Sequence, residues 1–211
     1  MANLFACCCE EDFTLIADKQ TPQMVNIFND YKNDVLKIFD DINLLTIPDY
    51  DIGVKYAYLV TQIFSGIMNS KAKMVDLKGK YKSKYLAFNK RLHDTRIRKK
   101  LDKVSVYNLS YEKLIEKTDS ENIFYYIDPP YYGTENLYGF HDFNITHHKH
   151  LAGLLKNSKS KWILSYYDFP ELSKWFPKNN YHWESKNFKK ASAAQKGKKQ
   201  TNGEEILIMN Y

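Results

Sequence analysis

No stretch of the chain is apolar enough, over a long enough run, to cross a bilayer as a helix, so no membrane role is expected. Met1–Asp12 holds acids and no basic region, which is not the pattern of a secretory signal. Cysteine is confined to Cys7, Cys8 and Cys9. Adjacent residues rarely reach disulfide geometry, and no CxxC spacing is present, so neither a disulfide framework nor a zinc ribbon is expected. The three thiols are read as reduced, in a cytoplasmic setting. Proline is scarce, with 6 residues. Glycine is scarcer still at the start: the first is Gly53, so nothing before it can form a glycine-rich turn.

Aromatic residues are abundant. The chain has 17 Tyr, 12 Phe and 3 Trp in 211 residues, with 44% hydrophobic content, enough for a sizeable core in one domain or one domain with an insertion. The net charge of +6 is unevenly spread. From Met1 to Val60 there are four Lys and no Arg against ten acids. From Asn69 to Lys103 there are thirteen Lys and Arg against three Asp, and Lys186–Lys199 adds six Lys and no acid. Clustered cations are the footprint of a phosphate backbone, although a solvated lysine surface gives the same count. The cations that most suit a phosphate backbone are Lys71, Lys73, Lys80, Lys82, Lys84 and Arg91 in the first cluster, and Lys189, Lys190, Lys196, Lys198 and Lys199 in the second. Tyr81, Tyr85 and Phe88 interleave with the first set, as a nucleic-acid surface or a half-buried helix face would have them. Arg91, Arg96 and Arg98 are each suited to a phosphate or a base edge.

The most informative stretch is Ile123–Tyr132. Five apolar or aromatic residues run into Asp128, then Pro129 and Pro130, then Tyr131 and Tyr132. Such a run reads as a buried strand of a parallel sheet. Proline cannot donate to a ladder, so the strand ends at Asp128, at the carboxyl edge where open α/β sheets bind ligands. A carboxylate, a backbone carbonyl and an aromatic ring are thereby fixed within a few residues, which suits gripping a planar group that carries an NH2.

Other segments are read by their period. Phe13–Ala17 is a candidate short strand. Met24–Phe28 alternates as a strand ending at Asn29-Asp30, followed by a helix over Tyr31–Leu45 for which Asn29 or Asp30 serves as N-cap. Ile52–Met68 is a second helix. Lys103–Asn108 is a short strand, and a helix starts at Ser110. Gly133–Asn144 is a loop without period. Thr146 caps a helix bearing Leu151, Leu154 and Leu155. Its His147, His148 and His150 lack a further ligand at metal spacing and are expected in solvent, with no metal bound. Lys161–Tyr166, Trp183–Phe188 and Glu204–Tyr211 are strands, the last two joined by the lysine-rich loop.

Asp128-Pro129-Pro130-Tyr131 behind Phe124-Tyr125-Tyr126-Ile127 resembles the catalytic motif of amino-group DNA methyltransferases. Asp in its first position, and Tyr-Gly-Thr-Glu after it, are similar to the adenine-specific, Dam-like D12 class of alpha order. The resemblance runs from about Gln23 to the C-terminus. It implies an α/β fold, a Rossmann-like S-adenosylmethionine-dependent methyltransferase sheet closed by a C-terminal antiparallel hairpin, with a small basic recognition insertion. The implied domains are 1–60 with 101–211 as the catalytic part and 61–100 as the reduced recognition insertion. The implied reaction is methyl transfer from S-adenosylmethionine to N6 of adenine in duplex DNA, with Asp128, Pro129, Pro130 and Tyr131 at the reacting base. Asp30 would bind the ribose of the donor, Ser110 would stand where relatives carry an acid for the donor's adenine, and Asp128 would face both ligands. The family's glycine-rich donor loop has no counterpart before Asp30. That leaves a divergent segment such as Phe13–Ala17, a second chain supplying the missing motif, or a degenerate protein that binds DNA without turnover.

Overall fold

A computed structural model describes residues 2–9, 13, 17, 27–40, 49–63, 82–135, 143–189 and 202–211. It divides into two compact units, Met1–Asn108 and Leu109–Tyr211.

Among the described residues, the first unit is helical. It holds α1 (Ala2–Cys9), α2 (Ile27–Asp40), α3 (Tyr50–Gln62), α4 (Lys82–Leu92) and α5 (Thr95–Leu101). Helix α3 is the hub, packing on α1, α2 and α4. Asp49 caps it by accepting the Ile52 N–H at 3.0 Å. A Cβ on Gly53 would meet the Cys7 Sγ at 2.8 Å and the Phe13 ring at 3.1 Å, so glycine here lets α1 approach α3. Arg98 donates to the carbonyls of Cys8 and Cys9 at 2.7 and 3.2 Å, which closes the C-terminus of α1.

This unit corrects three expectations. Ile27–Asp30 is helical, not the end of a strand, because Phe28, Tyr31 and Val35 share one helical face and Phe28 and Val35 are buried in the core. Asp30 therefore lies inside the first turn of α2 instead of capping it. Phe13 and Ala17 are helical and fully buried beside Cys7, Val54 and Leu92, so they are not a strand. Lys103–Asn108 carries no strand: Val104 and Tyr107 are exposed, and an alternating pair of valines without a ladder partner stays irregular. Residues 24–26, 41–48 and 64–81 lie outside the described part.

The second unit is mixed α/β. Helix α6 (Tyr111–Thr118) leads to β1 (Phe124–Ile127), α7 (Ile145–Asn157), β2 (Lys161–Tyr167), α8 (Leu172–Trp175), β3 (His182–Lys189) and β4 (Asn202–Met209). The four strands form an open sheet in the order β1-β2-β4-β3. β1 and β2 are parallel, pairing Phe124 with Lys161 and Ile127 with Leu164. β4 runs antiparallel to both β2 and β3, pairing Tyr167 with Glu205 and Lys186 with Glu205. Trp162, Leu164, Tyr166, Ile206 and Ile208 pack one sheet face against Leu151 and Leu155 of α7 and Leu172 of α8. Each such aliphatic side chain contributes about 1.5–3 kcal/mol by leaving water.

Asp119 joins the end of α6 to the turn before β2. Its carboxylate accepts from the Ser158 and Ser160 hydroxyls at 2.5 and 2.7 Å and from the Lys159 and Ser160 N–H groups at 3.0 Å each. Strand β1 is less covered than its composition suggests. Phe124 and Tyr126 are 52% and 62% exposed. Among the described residues β1 pairs on one side only, so it stands at the sheet edge and not buried between neighbours.

Candidate active site

The corner after β1 follows from two residue types. Pro129 and Pro130 stop the ladder at Ile127 and leave Asp128 exposed at the strand's carboxyl end. The chain then turns back. The Tyr131 carbonyl accepts the Thr134 N–H at 2.9 Å and its hydroxyl at 2.8 Å, and Gly133 adopts φ +78° at the third turn position, where a side chain would strain.

Two clamps hold this turn. Tyr131 sends its hydroxyl onto the sheet, 2.5 Å from the Ser165 hydroxyl and 2.9 Å from Glu205 Oε1. Ser165 also donates to Glu205 Oε1, at 3.0 Å. The Tyr131 ring meets Tyr167 edge-on at 4.4 Å. Burial pushes the Tyr131 hydroxyl well above the ordinary tyrosine range; the Ser165 hydrogen bond opposes this, and the charges of Glu205 and Asp128 reinforce it. It is therefore a phenol that donates, not a phenolate.

The second clamp is aromatic, an exposed Tyr132 lying over buried Phe169 and His148. Tyr132 stacks on Phe169 at 4.6 Å and 20°. His148 is 1% exposed, with Nδ1 2.6 Å from the Tyr166 hydroxyl and Nε2 3.0 Å from Glu135 Oε1. Burial lowers the His148 pKa, although Glu135 pulls it upward. Burial would raise the Glu135 carboxyl, but N–H groups of the turn and the His148 hydrogen bond outweigh it and lower the pKa. Expecting His148 in solvent was wrong. His150 is exposed and His147 half-buried. The cap of α7 is Asn144, not Thr146: it accepts from the Thr146 N–H at 3.0 Å, while the Asn144 N–H donates back to His147 Nδ1 at 3.3 Å.

Beside the corner lies a cavity of about 330 Å³, at the small end of the range for ligand pockets, about 300–1,000 Å³. Asp128, Pro129 and Pro130 form one wall. Tyr111, Leu114 and Ile115 of α6, Tyr125, Tyr126 and Ile127 of β1, and Phe143 and Leu151 complete it. Asp128 is the only ionisable carboxylate among these lining residues; the remainder are apolar or aromatic. Such walls suit a flat heterocycle with one polar edge. The Tyr111 hydroxyl donates to the His147 carbonyl and lies as far from His150 Nδ1, 3.3 Å in both cases.

The residues expected to act together are therefore divided. Asp128, Pro129 and Pro130 share the cavity wall, and Tyr131 follows them on the sheet side. Ser110 caps α6, accepting the Lys113 N–H at 3.4 Å, directly before the cavity residue Tyr111. Asp30 belongs to the first unit and is exposed on α2. Of the expected DNA cations, Lys84 and Arg91 are exposed on α4. Lys82 and Lys189 lie on α4 and β3, and Lys71, Lys73, Lys80, Lys190, Lys196, Lys198 and Lys199 fall outside the described residues. Two of the three arginines are engaged within the protein: Arg98 closes α1, and Arg96 forms a fork on Asp94, its own helix cap, at 2.8 and 3.1 Å. Glu205, Ser165, Glu135 and His148 were not foreseen as parts of the site.

The match to a family model covers most of the chain. No curated protein matches it. The family model is that of the D12 class N6 adenine-specific DNA methyltransferases and matches residues 12–191, so the chain belongs to that family.

Proposed function

We propose that this chain transfers a methyl group to N6 of adenine in DNA, with Asp128, Pro129, Pro130 and Tyr131 at the reacting base. The observation that carries the reading is the Asp128–Pro130 corner, open to solvent at the rim of an aromatic cavity. The exocyclic amine of adenine is a poor nucleophile because its lone pair is delocalised into the ring. Asp128 and the Pro129 carbonyl accept its two N–H bonds. That draws the nitrogen toward tetrahedral geometry and turns its lone pair out of the ring plane. Orientation and electrostatics carry the rate, with no covalent enzyme intermediate. The amine is out of reach inside a duplex, so the base leaves the stack and meets the Tyr131 ring. Lysines and arginines of 71–103 and 186–199 hold the backbone and set the position of the duplex.

The donor this family uses is S-adenosylmethionine, whose sulfonium supplies an activated methyl group. The cavity fits its adenine: Tyr111, Phe143 and Ile127 offer flat apolar walls, and Asp128 one acceptor at the edge. Ser110 stands at the mouth of α6, where its hydroxyl serves Lys113. Asp30 is the proposed partner of the ribose hydroxyls. The proposed fold is a Rossmann-like methyltransferase sheet closed by an antiparallel hairpin of β3 and β4, with 1–60 and 101–211 as the catalytic part and 61–100 as the recognition insertion. Titrating labelled S-adenosylmethionine into the pure protein tests the reading: micromolar binding supports it, and no binding at millimolar donor refutes it.

One observation favours a second reading, a split enzyme. Gly53, the first glycine, packs α3 against α1 and cannot serve a donor loop, and β1, with Phe124 and Tyr126 exposed, has an edge that is unpaired among the described residues. In that reading another chain adds a strand and its glycine-rich loop beside β1, and methyl transfer is restored only when the two are mixed. A lone chain that binds DNA without turnover is its limiting case.

A further inference from the structure

We propose that Glu205 is a positioning residue for the methyl transfer, acting through the Tyr131 hydroxyl. The inference rests on the functional reading above and adds to it a residue 74 positions from Tyr131 in sequence. In the register of β4, Glu205 stands opposite Lys186, and a cross-strand ion pair is the ordinary use of such an acid. Among the described residues no ion pair joins them. The carboxylate instead takes the Tyr131 hydroxyl at 2.9 Å and the Ser165 hydroxyl at 3.0 Å on one oxygen, Oε1. The two hydroxyls are 2.5 Å apart, so the three oxygens close a triangle.

The triangle has a direction. Ser165 is fully buried on β2, and β2 and β4 are neighbours in the sheet, so both acceptors are fixed to rigid elements. Tyr131 belongs to the turn that leaves the sheet three residues after Asp128. Its ring is half-buried and meets Tyr167 edge-on at 4.4 Å. Packing at one edge and a tethered hydroxyl leave the ring one orientation. Tyrosine has only two side-chain torsions, and both are thereby set before any substrate arrives. A ring that must meet an extruded base gains from being held in place, because small misplacements near a reacting centre are costly. The tether also fixes the backbone at Tyr131, and through Pro129 and Pro130 the Asp128 carboxylate.

The test is a double-variant cycle on the full chain, using unmethylated genomic DNA and tritiated S-adenosylmethionine. Glu205→Ala is expected to lower kcat by about ten- to a hundredfold, the scale of a mispositioned group, with KM for DNA and donor within about threefold of wild type. Glu205→Gln, which keeps an acceptor at the same reach, recovers most of the loss. Tyr131→Phe loses as much as Glu205→Ala, and the double variant loses no more than either, since the two act as one unit. Effects that multiply, a loss confined to KM, or a Gln variant as slow as the Ala variant overturn the proposal while leaving the methyltransferase reading intact. A wild-type chain that methylates no adenine overturns both. Should Glu205→Ala not fold, Tyr131→Phe decides alone: it keeps the ring, and an unchanged kcat refutes the tether.

Discussion

His148 Nδ1 lies 2.6 Å from the Tyr166 hydroxyl, and both side chains are almost wholly removed from water. Burial raises the Tyr166 pKa, so its hydroxyl is a donor. Neutral His148 then accepts at Nδ1 and donates from Nε2–H to Glu135. A chain of two hydrogen bonds thus runs from the central strand β2 to the turn behind the Asp128 corner. His148→Ala leaves a buried hydroxyl without its partner and opens a void, so it is expected to lower stability by about 2–4 kcal/mol in urea unfolding. A change under about 0.5 kcal/mol, the scale of a surface substitution, contradicts the packing described.

Asp119 gives a pH dependence whose sign is fixed. Burial would raise its carboxyl, but the hydrogen bonds from Ser158, Lys159 and Ser160 outweigh that and hold it well below the usual carboxylate range. A carboxyl depressed in the folded state binds protons more readily when unfolded. Its contribution is fully present above the ordinary aspartate value of about 3.9 and is lost as pH falls through the lower folded value. Asp119→Asn therefore melts below wild type at pH 7, and the gap narrows as pH falls below about 4. A gap that is the same at pH 7 and pH 3 contradicts this account; circular-dichroism melts decide it.

Gly53→Ala is expected to destabilise the first unit. The new Cβ meets the Cys7 Sγ at 2.8 Å, and both residues are buried, so α1 must shift or Cys7 must turn. Overpacking of this kind costs about 1–3 kcal/mol, more than the gain in helix propensity returns. Double Gly53→Ala, Cys7→Ala removes the clash and is expected to recover part of the loss. Chemical denaturation followed by far-UV circular dichroism measures it.

Tyr111→Ala removes one aromatic wall of the cavity. If the donor's adenine sits there, its affinity falls by about 1–3 kcal/mol, the size of one base–aromatic contact. Equilibrium dialysis with labelled S-adenosylmethionine reads it. Unchanged affinity with an intact fold places the donor elsewhere.

Much of the second unit is legible in sequence. β2 and β4 announce themselves by short apolar runs, Trp162–Leu164 and Ile206–Met209, and β1 by a run that two prolines stop. The corner at Asp128 follows from residue types whose effects are local. His148 was legible too: with Leu151 and Leu155 it falls at i, i+3 and i+7, one helical face, and that face is buried. Its helical spacing, and not the polarity of its ring, sets its place in the core. Ile27–Asp30 misleads because a short apolar run fits a strand or a helix, and only the burial of Phe28 with Val35 decides. Glu205 was not legible at all. Its partners are set by which strand lies beside β2, and that is a property of the assembled sheet.

The central claim is that Asp128 holds an adenine amine out for alkylation. Incubating the protein with unmethylated DNA and tritiated S-adenosylmethionine, then digesting to nucleosides, tests it directly. The label is expected in N6-methyl-2′-deoxyadenosine for wild type and absent for Asp128→Ala, with DNA binding and the circular-dichroism spectrum of the variant unchanged. Wild-type transfer to cytosine, or an Asp128→Ala protein that methylates adenine at the wild-type rate, contradicts it.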